Sequence, residues 1–542
     1  MKKIVECVPN FSEGRDQKII DAIADGIRRT NGVTLLDVDP GKSTNRTVYT
    51  FVGSPEGVVE GALNGARVAM KLIDMRKQHG EHPRMGALDV CPFVPVAGVT
   101  MEECVECANE FGRRASEELG ITIYLYEDAA REEYRRKLPQ IREGEYEGLT
   151  ERIKKPEWKP DYGPAQFIPE WGATVTGARF FLIAYNINIL GTHNQAHRIA
   201  LNLREVGRGE EEPGLLKEVK AMGWWVEEYN MAQVTANLTN YKVTPPHVLF
   251  EEVKRQTKEL KIGIAGSELV GLIPLEAVLM AAEYYIEKEN LFIIDEDQKI
   301  KLVVDRLGLN SISKFEPRKR IIDYMVAEER EEPLVSLTTR KFIESIAART
   351  SAPGGGSAAA TIAAIGAGLG AMVAKLTYGM RKFENVDAQM RAIIPVLHDA
   401  TMKLIPMIDA DTNAFNDYLE AVRMSKETDE EKEARNKALQ IGLKKAIEVP
   451  LTTMRLGNST WDMMTECAKY GNLASKSDVE VGTRALATGI WGAYRNVLIN
   501  MPGIKDEEFK KKILKEAEEI VKNSENKSSN IYLILEERSK NK

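Results

Sequence analysis

Gly80-Glu81-His82-Pro83-Arg84-Met85-Gly86-Ala87-Leu88-Asp89-Val90 opens directly onto the apolar run Val90 to Val96. That run reads as a strand, so His82 belongs to a loop feeding a sheet. Met101 to Leu119 then reads as a helix and Thr122 to Tyr126 as a further strand. Working backwards, Lys3 to Val8, Val33 to Val38 and Arg46 to Val52 read as strands, and Asp16 to Thr30 and Pro55 to Met75 as helices. The spacing of Ile19, Ile20, Ile23 and Ile27 carries the first of these helices. Strands and helices alternating at short intervals predict an α/β sandwich, and a ferredoxin-like order fits. Residues 136–162, charged and proline-bearing, read as an excursion over the surface.

Ala178 to Leu190 reads as one long apolar strand that restarts the pattern. Helices at His193 to Glu205, His247 to Leu260 and Leu275 to Ile286 alternate with strands at Trp224 to Glu228, Ala232 to Leu238 and Ile262 to Gly266. A charged run ending at Pro333 marks a linker. From Leu337 to Lys522 no strand pattern is evident and long helical patterns follow one another, which predicts an all-α bundle. The expected division is two α/β subdomains, 1–178 and 179–326, a linker, 327–336, and a helical domain, 337–542.

A net charge of −7 argues against a general nucleic-acid binder and confines any anion site to a local basic pocket. Five scattered cysteines fit a reducing cytoplasm, and Cys104 and Cys107 have no second pair with which to hold zinc. The start of the chain runs straight into a strand and reads as no signal peptide.

Polar groups crowded onto a loop beside a rigid strand are how binding and catalytic sites are commonly built. Histidine titrates near neutrality and suits general acid/base work. Two features accompany His82. In the turn Asp37 to Thr47, Asp39 can orient an imidazole, and Lys42 or Arg46 can hold an anion. In the Gly163 to Arg179 stretch, glycines and prolines surround Phe167 and Trp171, whose faces suit a flat heterocycle at a domain junction.

In the helical part, Gly354-Gly355-Gly356-Ser357 precedes an uncharged run to Ala374. Free N–H groups there can cradle an anion. The run is nearly long enough to cross a membrane. Its Ala and Gly content, with Gly366, Gly368 and Gly370, reads better as the central helix of a bundle or dimer. Leu404, Ile408, Phe415 and Val422 mark an apolar stripe on which Asp411 falls, while Asp409 lies about 200° round the helix. A carboxylate on a buried face is paired or has a raised pKa, and a raised pKa suits a proton shuttle. The polar loop Gly471 to Gly482 can line the same pocket.

Together these stretches resemble the formimidoyltransferase-cyclodeaminase family, bifunctional folate enzymes of histidine breakdown. Val8-Pro9-Asn10-Phe11-Ser12-Glu13-Gly14, the Asp39 to Thr47 turn, the His82 loop and the Gln166 to Gly177 stretch look like the transferase half. Ser351 to Ser357, Asp409 to Asp411 and Gly471 to Gly482 look like the cyclodeaminase half. The resemblance implies transfer of a formimino group from N-formimino-glutamate to N5 of tetrahydrofolate. Ring closure to 5,10-methenyl-tetrahydrofolate with loss of ammonia then follows.

It implies His82 as the transferase base, with Asp39 or Glu81 orienting it and Arg84, Lys42 or Arg46 holding substrate carboxylates. Gln166, Phe167, Glu170, Trp171, Gly172, Thr174, Thr176 and Gly177 would contact folate. Asp411 would be the cyclodeaminase acid, and Gly354, Gly355, Gly356 and Ser357 would hold an anionic tail. Tetrahydrofolate, polyglutamylated, is the implied co-substrate, with no metal. The implied assembly is a helical dimer within a larger ring, in the cytoplasm, with no membrane span and no nucleic acid. The competing expectations are a formyl rather than formimino donor, a folate-binding scaffold without catalysis, and a membrane anchor at 351–374.

Overall fold

The computed structural model describes residues 3–42, 44–80, 83–326 and 332–540. The chain forms two compact units, 1–330 and 331–542. The first begins with β1 (Ile4–Cys7), β2 (Asn10–Phe11), α1 (Gln17–Arg28), β3 (Val33–Gly41), β4 (Arg46–Gly53), α2 (Pro55–Leu72), β5 (Leu88–Ala97), α3 (Met101–Leu119) and β6 (Thr122–Glu127). Each helix starts where a polar side chain takes up its free N–H groups. Asp16 caps α1, Ser54 caps α2 ahead of Pro55, and Thr100 and Glu103 close a reciprocal box on α3. Strand β1 lies between β4 and β5, and β3 flanks β4, with every neighbour antiparallel. This is the ferredoxin-like order. β2 continues β1 past Pro9 between the same neighbours.

Residues Ala173–Ala178 form β7, which adds to the free edge of β5 in parallel and is followed by β6, also parallel. The stretch expected as one strand from Ala178 to Leu190 is therefore broken: Ala178 ends β7 in one sheet, and β8 (Ile183–Leu190) starts another. Apolar content suits a buried strand in either sheet, so it cannot reveal the crossing at residues 179–182.

Residues 136–162 are also more than a surface excursion. They form α4 (Leu138–Arg142) and α5 (Glu145–Arg152). Ile141 and Leu149 are buried against Met85, Val90, Tyr124, Tyr126, Ala173 and Val175. Arg142 pairs with the fully buried Asp89, and Arg135 pairs with Asp161 at 2.9 Å. The charges that made the segment look solvated are the ones that pin it down.

The second subdomain runs β8, α6 (His193–Leu203), β9 (Val219–Val226), β10 (Met231–Leu238), α7 (Pro246–Glu259), β11 (Gly263–Val270), α8 (Leu275–Lys288) and α9 (Glu296–Leu307). Its sheet order is β11-β8-β10-β9, wholly antiparallel. That is the ferredoxin-like order again. Helices α1 to α3 cover one face of the first sheet. On its other face Ile4, Val52 and Val94 join the core of the second subdomain. Two sheets thus meet along part of their faces and leave a cleft along the rest.

Among the described residues the second unit contains no strand. Helix Gly355–Thr377 is its centre and packs against helix Lys476–Asn500. The approach is close because the contact positions are glycine. A Cβ on Gly489 would lie 2.7 Å from that of Ala363, and one on Gly366 would lie 2.6 Å from the Leu486 nitrogen. Helix Gly355–Thr377 is long and apolar enough to cross a membrane, but most of it is buried within the unit. The bundle accounts for its composition.

Candidate functional site

The cleft between the two sheets of the first unit has a volume of about 440 Å³. Strand registry explains its lining. Asp39 faces Val48 and Asp37 faces Thr50 across β3 and β4, and Asn10 also faces Val48, so these side chains share the face turned to the second subdomain. Arg46 and Glu6 line the same cleft from β4 and β1, Arg142 from α4, Arg179 from the crossing segment, and Lys220 and Asn237 from the second sheet.

Partial desolvation sets the electrostatics. Burial pushes Glu6 up to about 7, opposed by Arg179. It also raises Asp37, helped by Asp39. Burial lowers Arg46, helped by Arg142, and lowers Lys220. Both signs of charge are thus held partly dry around one space, as a zwitterionic ligand requires.

His82 and Glu81 lie outside the described residues, but their flanks are well defined. Glu13 accepts the backbone N–H groups of Arg15 and Asp16 at 2.8 and 3.0 Å and a bond from Gln78 Nε2 at 2.9 Å. Asn45 accepts from Gly14 N at 3.0 Å and donates to Gln78 and to the His79 carbonyl. A Cβ on Gly80 would run into the Thr44 carbonyl, and one on Gly86 into that of Ala173. The Val8 to Gly14 segment and the Asp39 to Thr47 turn therefore hold the chain on the N-terminal side of His82.

The other sequence-derived residues divide sharply. Asp39 and Arg46 are in the cleft. Lys42 is exposed, and its carbonyl accepts Arg15 Nε at 2.9 Å. Arg84 is 8% exposed and engaged with Glu147 at 2.8 Å, Glu145 at 3.4 Å and the Gln78 carbonyl. It braces α5 against the His82 loop. Gln166 and Glu170 are exposed, the latter paired with Arg76 at 2.7 Å. Phe167 stacks obliquely on Tyr146.

Trp171 is 1% exposed, and its Nε1 donates to Thr174 Oγ1 at 3.0 Å, so its ring faces the core. Thr174 and Thr176 donate to the β5 carbonyls of Leu88 and Cys91 at 2.7 and 2.8 Å, also in the core. Gly172 has a φ of 79° and lies against Met85. Gly177 leaves room for the Tyr126 ring, which lines the cleft.

Sequence reasoning missed Glu6, Asp37, Arg142, Arg179 and Lys220. One signal was legible: in Ile4, Glu6 and Val8 a carboxylate shares a strand face with two apolar residues.

In the helical unit, Asp409 and Asp411 lie on helix Met407–Arg423 and do different things. Asp409 is 4% exposed and accepts the backbone N–H groups of Leu334 and Val335 at 2.8 and 3.2 Å. It anchors the chain's entry to the unit. Asp411 is half-buried, and its carboxylate lies directly over Gly356, where any Cβ would run into it. Burial raises its pKa, against the opposing effect of the Ser357 N–H and hydroxyl.

The expected apolar stripe is thus displaced. Asp409 is the more buried aspartate, and Val422 is 38% exposed. The first turn of helix Gly355–Thr377 faces the chain's own Asp411 carboxyl. The Gly471 to Gly482 loop lies at the opposite end of that helix, with Asn472 N bonded to Thr377 Oγ1 at 2.9 Å. Within one chain it does not line the Asp411 pocket.

Family models match along most of the chain. They are the formiminotransferase domain's N-terminal subdomain at residues 4–179, the formiminotransferase domain at 184–327 and formiminotransferase-cyclodeaminase at 338–519. A formimidoyltransferase-cyclodeaminase of Dictyostelium discoideum is 60% identical over 99% of this chain and 100% of its own. A glutamate formimidoyltransferase of Streptococcus pyogenes is 42% identical over 54% of this chain and 95% of its own. A methenyltetrahydrofolate cyclohydrolase of Methylorubrum extorquens is 34% identical over 36% of this chain and 94% of its own. Carrying both halves in one polypeptide, the chain belongs to the formimidoyltransferase-cyclodeaminase family.

Proposed function

We propose that the cleft of the first unit and the Asp411 site of the second divide a two-step conversion of folate. In the first step N5 of tetrahydrofolate attacks the formimino carbon of N-formimino-L-glutamate. His82 takes the N5 proton and returns one to the departing glutamate nitrogen. Asp39 orients the imidazole, and Arg46 holds a substrate carboxylate.

In the second step N10 closes on the formimino carbon and ammonia leaves. Asp411 takes the proton lost by N10 and delivers one to the leaving nitrogen. The observation that carries this reading is the Asp411 carboxyl, half-buried with a raised pKa at a helix N-terminus. Burial favours the protonated form and the nearby N–H favours the anion, so the group can serve in both states.

The folate is polyglutamylated in this reading, and the reactions take place in the cytoplasm. Exposed Ile365, Met372 and Leu376 on the central helix support self-association through the helical unit, as a dimer within a larger ring. The division 1–178, 179–326, 327–336 and 337–542 separates the subdomains, the linker and the cyclodeaminase part. Purified chain is given tetrahydrofolate with either the formimino or the formyl donor, and methenyl-tetrahydrofolate absorbance and ammonia are followed separately. Both signals with the formimino donor support the reading. Product from the formyl donor alone overturns it.

A further inference from the structure

Of the two cleft carboxyls that this chemistry leaves idle, Asp37 and Glu6, Glu6 is the more deeply buried. Glu6 on β1 is 3% exposed and lines the cleft. Among the described residues no group donates a hydrogen bond to its side chain or forms an ion pair with it. A carboxyl this deeply placed, opening only onto the cleft, is free to take hydrogen bonds from a ligand held there.

Strand registry locates it. Glu6 faces Val52 and Val94, which belong to the apolar core beside the cleft, whereas Asp39 and Asn10 face Val48. Four residues of β4 separate the two positions, about 13 Å at the usual rise per residue. Phe181 and Leu272 add apolar wall to the same cleft. A bicyclic ring met by one side chain at each end fills such a span.

We propose that the Glu6 carboxylate binds the guanidine-like edge of the pterin ring, accepting one N–H bond from the 2-amino group and one from the adjacent ring nitrogen. The inference rests on the folate reading of the cleft. A carboxylate with two parallel acceptors matches two parallel donors. The formimino donor also carries an amidine, but in the folate reading that group meets N5 beside Asp39, which faces Val48, four positions along β4 from the residue that Glu6 faces. Geometry therefore assigns Glu6 to the pterin.

A pH dependence follows. The charged and titratable groups lining the cleft with Glu6 are Asp37 and Asp39 on β3, Arg46 on β4, Tyr126 on β6, Arg142 on α4, Arg179, and Lys220 on β9. Unliganded, Glu6 titrates at about 7. Ligand donors favour its anion, so binding below that pH releases a proton. The KM for tetrahydrofolate falls as pH rises to about 7 and then levels.

The test uses full-length chain in the transferase assay. Wild type and Glu6→Gln are compared with tetrahydrofolate and with its analogue lacking the 2-amino group. Glu6→Gln is expected to raise the KM for tetrahydrofolate about 10- to 100-fold, leave the KM for N-formimino-L-glutamate unchanged and flatten the pH dependence. Wild type is expected to disfavour the analogue by a similar factor, and Glu6→Gln not to distinguish the two. Wild type that accepts the analogue as readily as tetrahydrofolate overturns the inference whether or not the variant folds. So does a variant that discriminates as wild type does. Wild type with no transfer to tetrahydrofolate overturns the folate reading itself, and this inference with it.

Discussion

In the α/β unit, Glu6, Asp37, Asp39, Arg46, Arg179 and Lys220 reach one cleft from widely separated places in the chain. In the helical unit, Asp411 reaches from helix Met407–Arg423 over the first turn of helix Gly355–Thr377, with Ser357 as its hydrogen-bonding partner. The first site spreads charge over two sheets, so each group's ionisation is buffered by its neighbours. The second concentrates it on one carboxyl poised by burial against a helix end. A distributed site should lose function by degrees when one group changes. A point site should lose it outright.

The contrast breaks most visibly at Gly356. Gly356→Ala would push the Asp411 carboxylate off the helix turn. The expected outcome is a fall of about 100-fold or more in cyclisation of supplied 5-formimino-tetrahydrofolate, with transferase rate unchanged. A normal cyclisation rate in this variant removes the idea of a point site.

Next in size is Arg142→Met. It leaves the fully buried Asp89 carboxylate without its cation. Denaturant unfolding of the α/β unit should show a loss of about 3–5 kcal/mol.

The two aspartates sharpen the comparison further. Asp409→Ala leaves the N–H groups of Leu334 and Val335 without acceptors and should destabilise the helical unit by about 1–3 kcal/mol, with cyclisation per folded molecule retained. Asp411→Asn should do the reverse. A carboxyl whose folded pKa lies above its unfolded value favours folding when protonated, and that advantage is lost as pH rises through the folded value. The amide carries no charge to desolvate, so Asp411→Asn should remove this loss at high pH and raise the unfolding temperature slightly there, while abolishing cyclisation. Calorimetry of the two variants beside their rates separates a structural aspartate from a chemical one.

How much of this the sequence disclosed depended on whether a feature was local. The helices following Asp16, Ser54 and Thr100, the glycine run at Gly354 to Gly356 and the angular separation of Asp409 from Asp411 are set by a few neighbouring residues, and those helices, that run and that separation were legible. The sheet crossing at residues 179–182 was not, because an apolar strand looks the same in either sheet. The roles of Trp171, Thr174 and Thr176 depend on which face of β7 meets the helices, a fact of pairing rather than of composition. Arg142 and Lys220 join the cleft only through tertiary contacts, and no spacing announces them.

The most direct measurement crosses the two sites in one preparation. His82→Ala and Asp411→Ala are each given tetrahydrofolate with N-formimino-L-glutamate and, separately, 5-formimino-tetrahydrofolate. The account predicts that His82→Ala makes nothing from the first pair but cyclises the supplied intermediate. It predicts that Asp411→Ala consumes the first pair and stalls with the intermediate accumulated. Normal turnover by either variant in the step assigned to its residue would contradict the account.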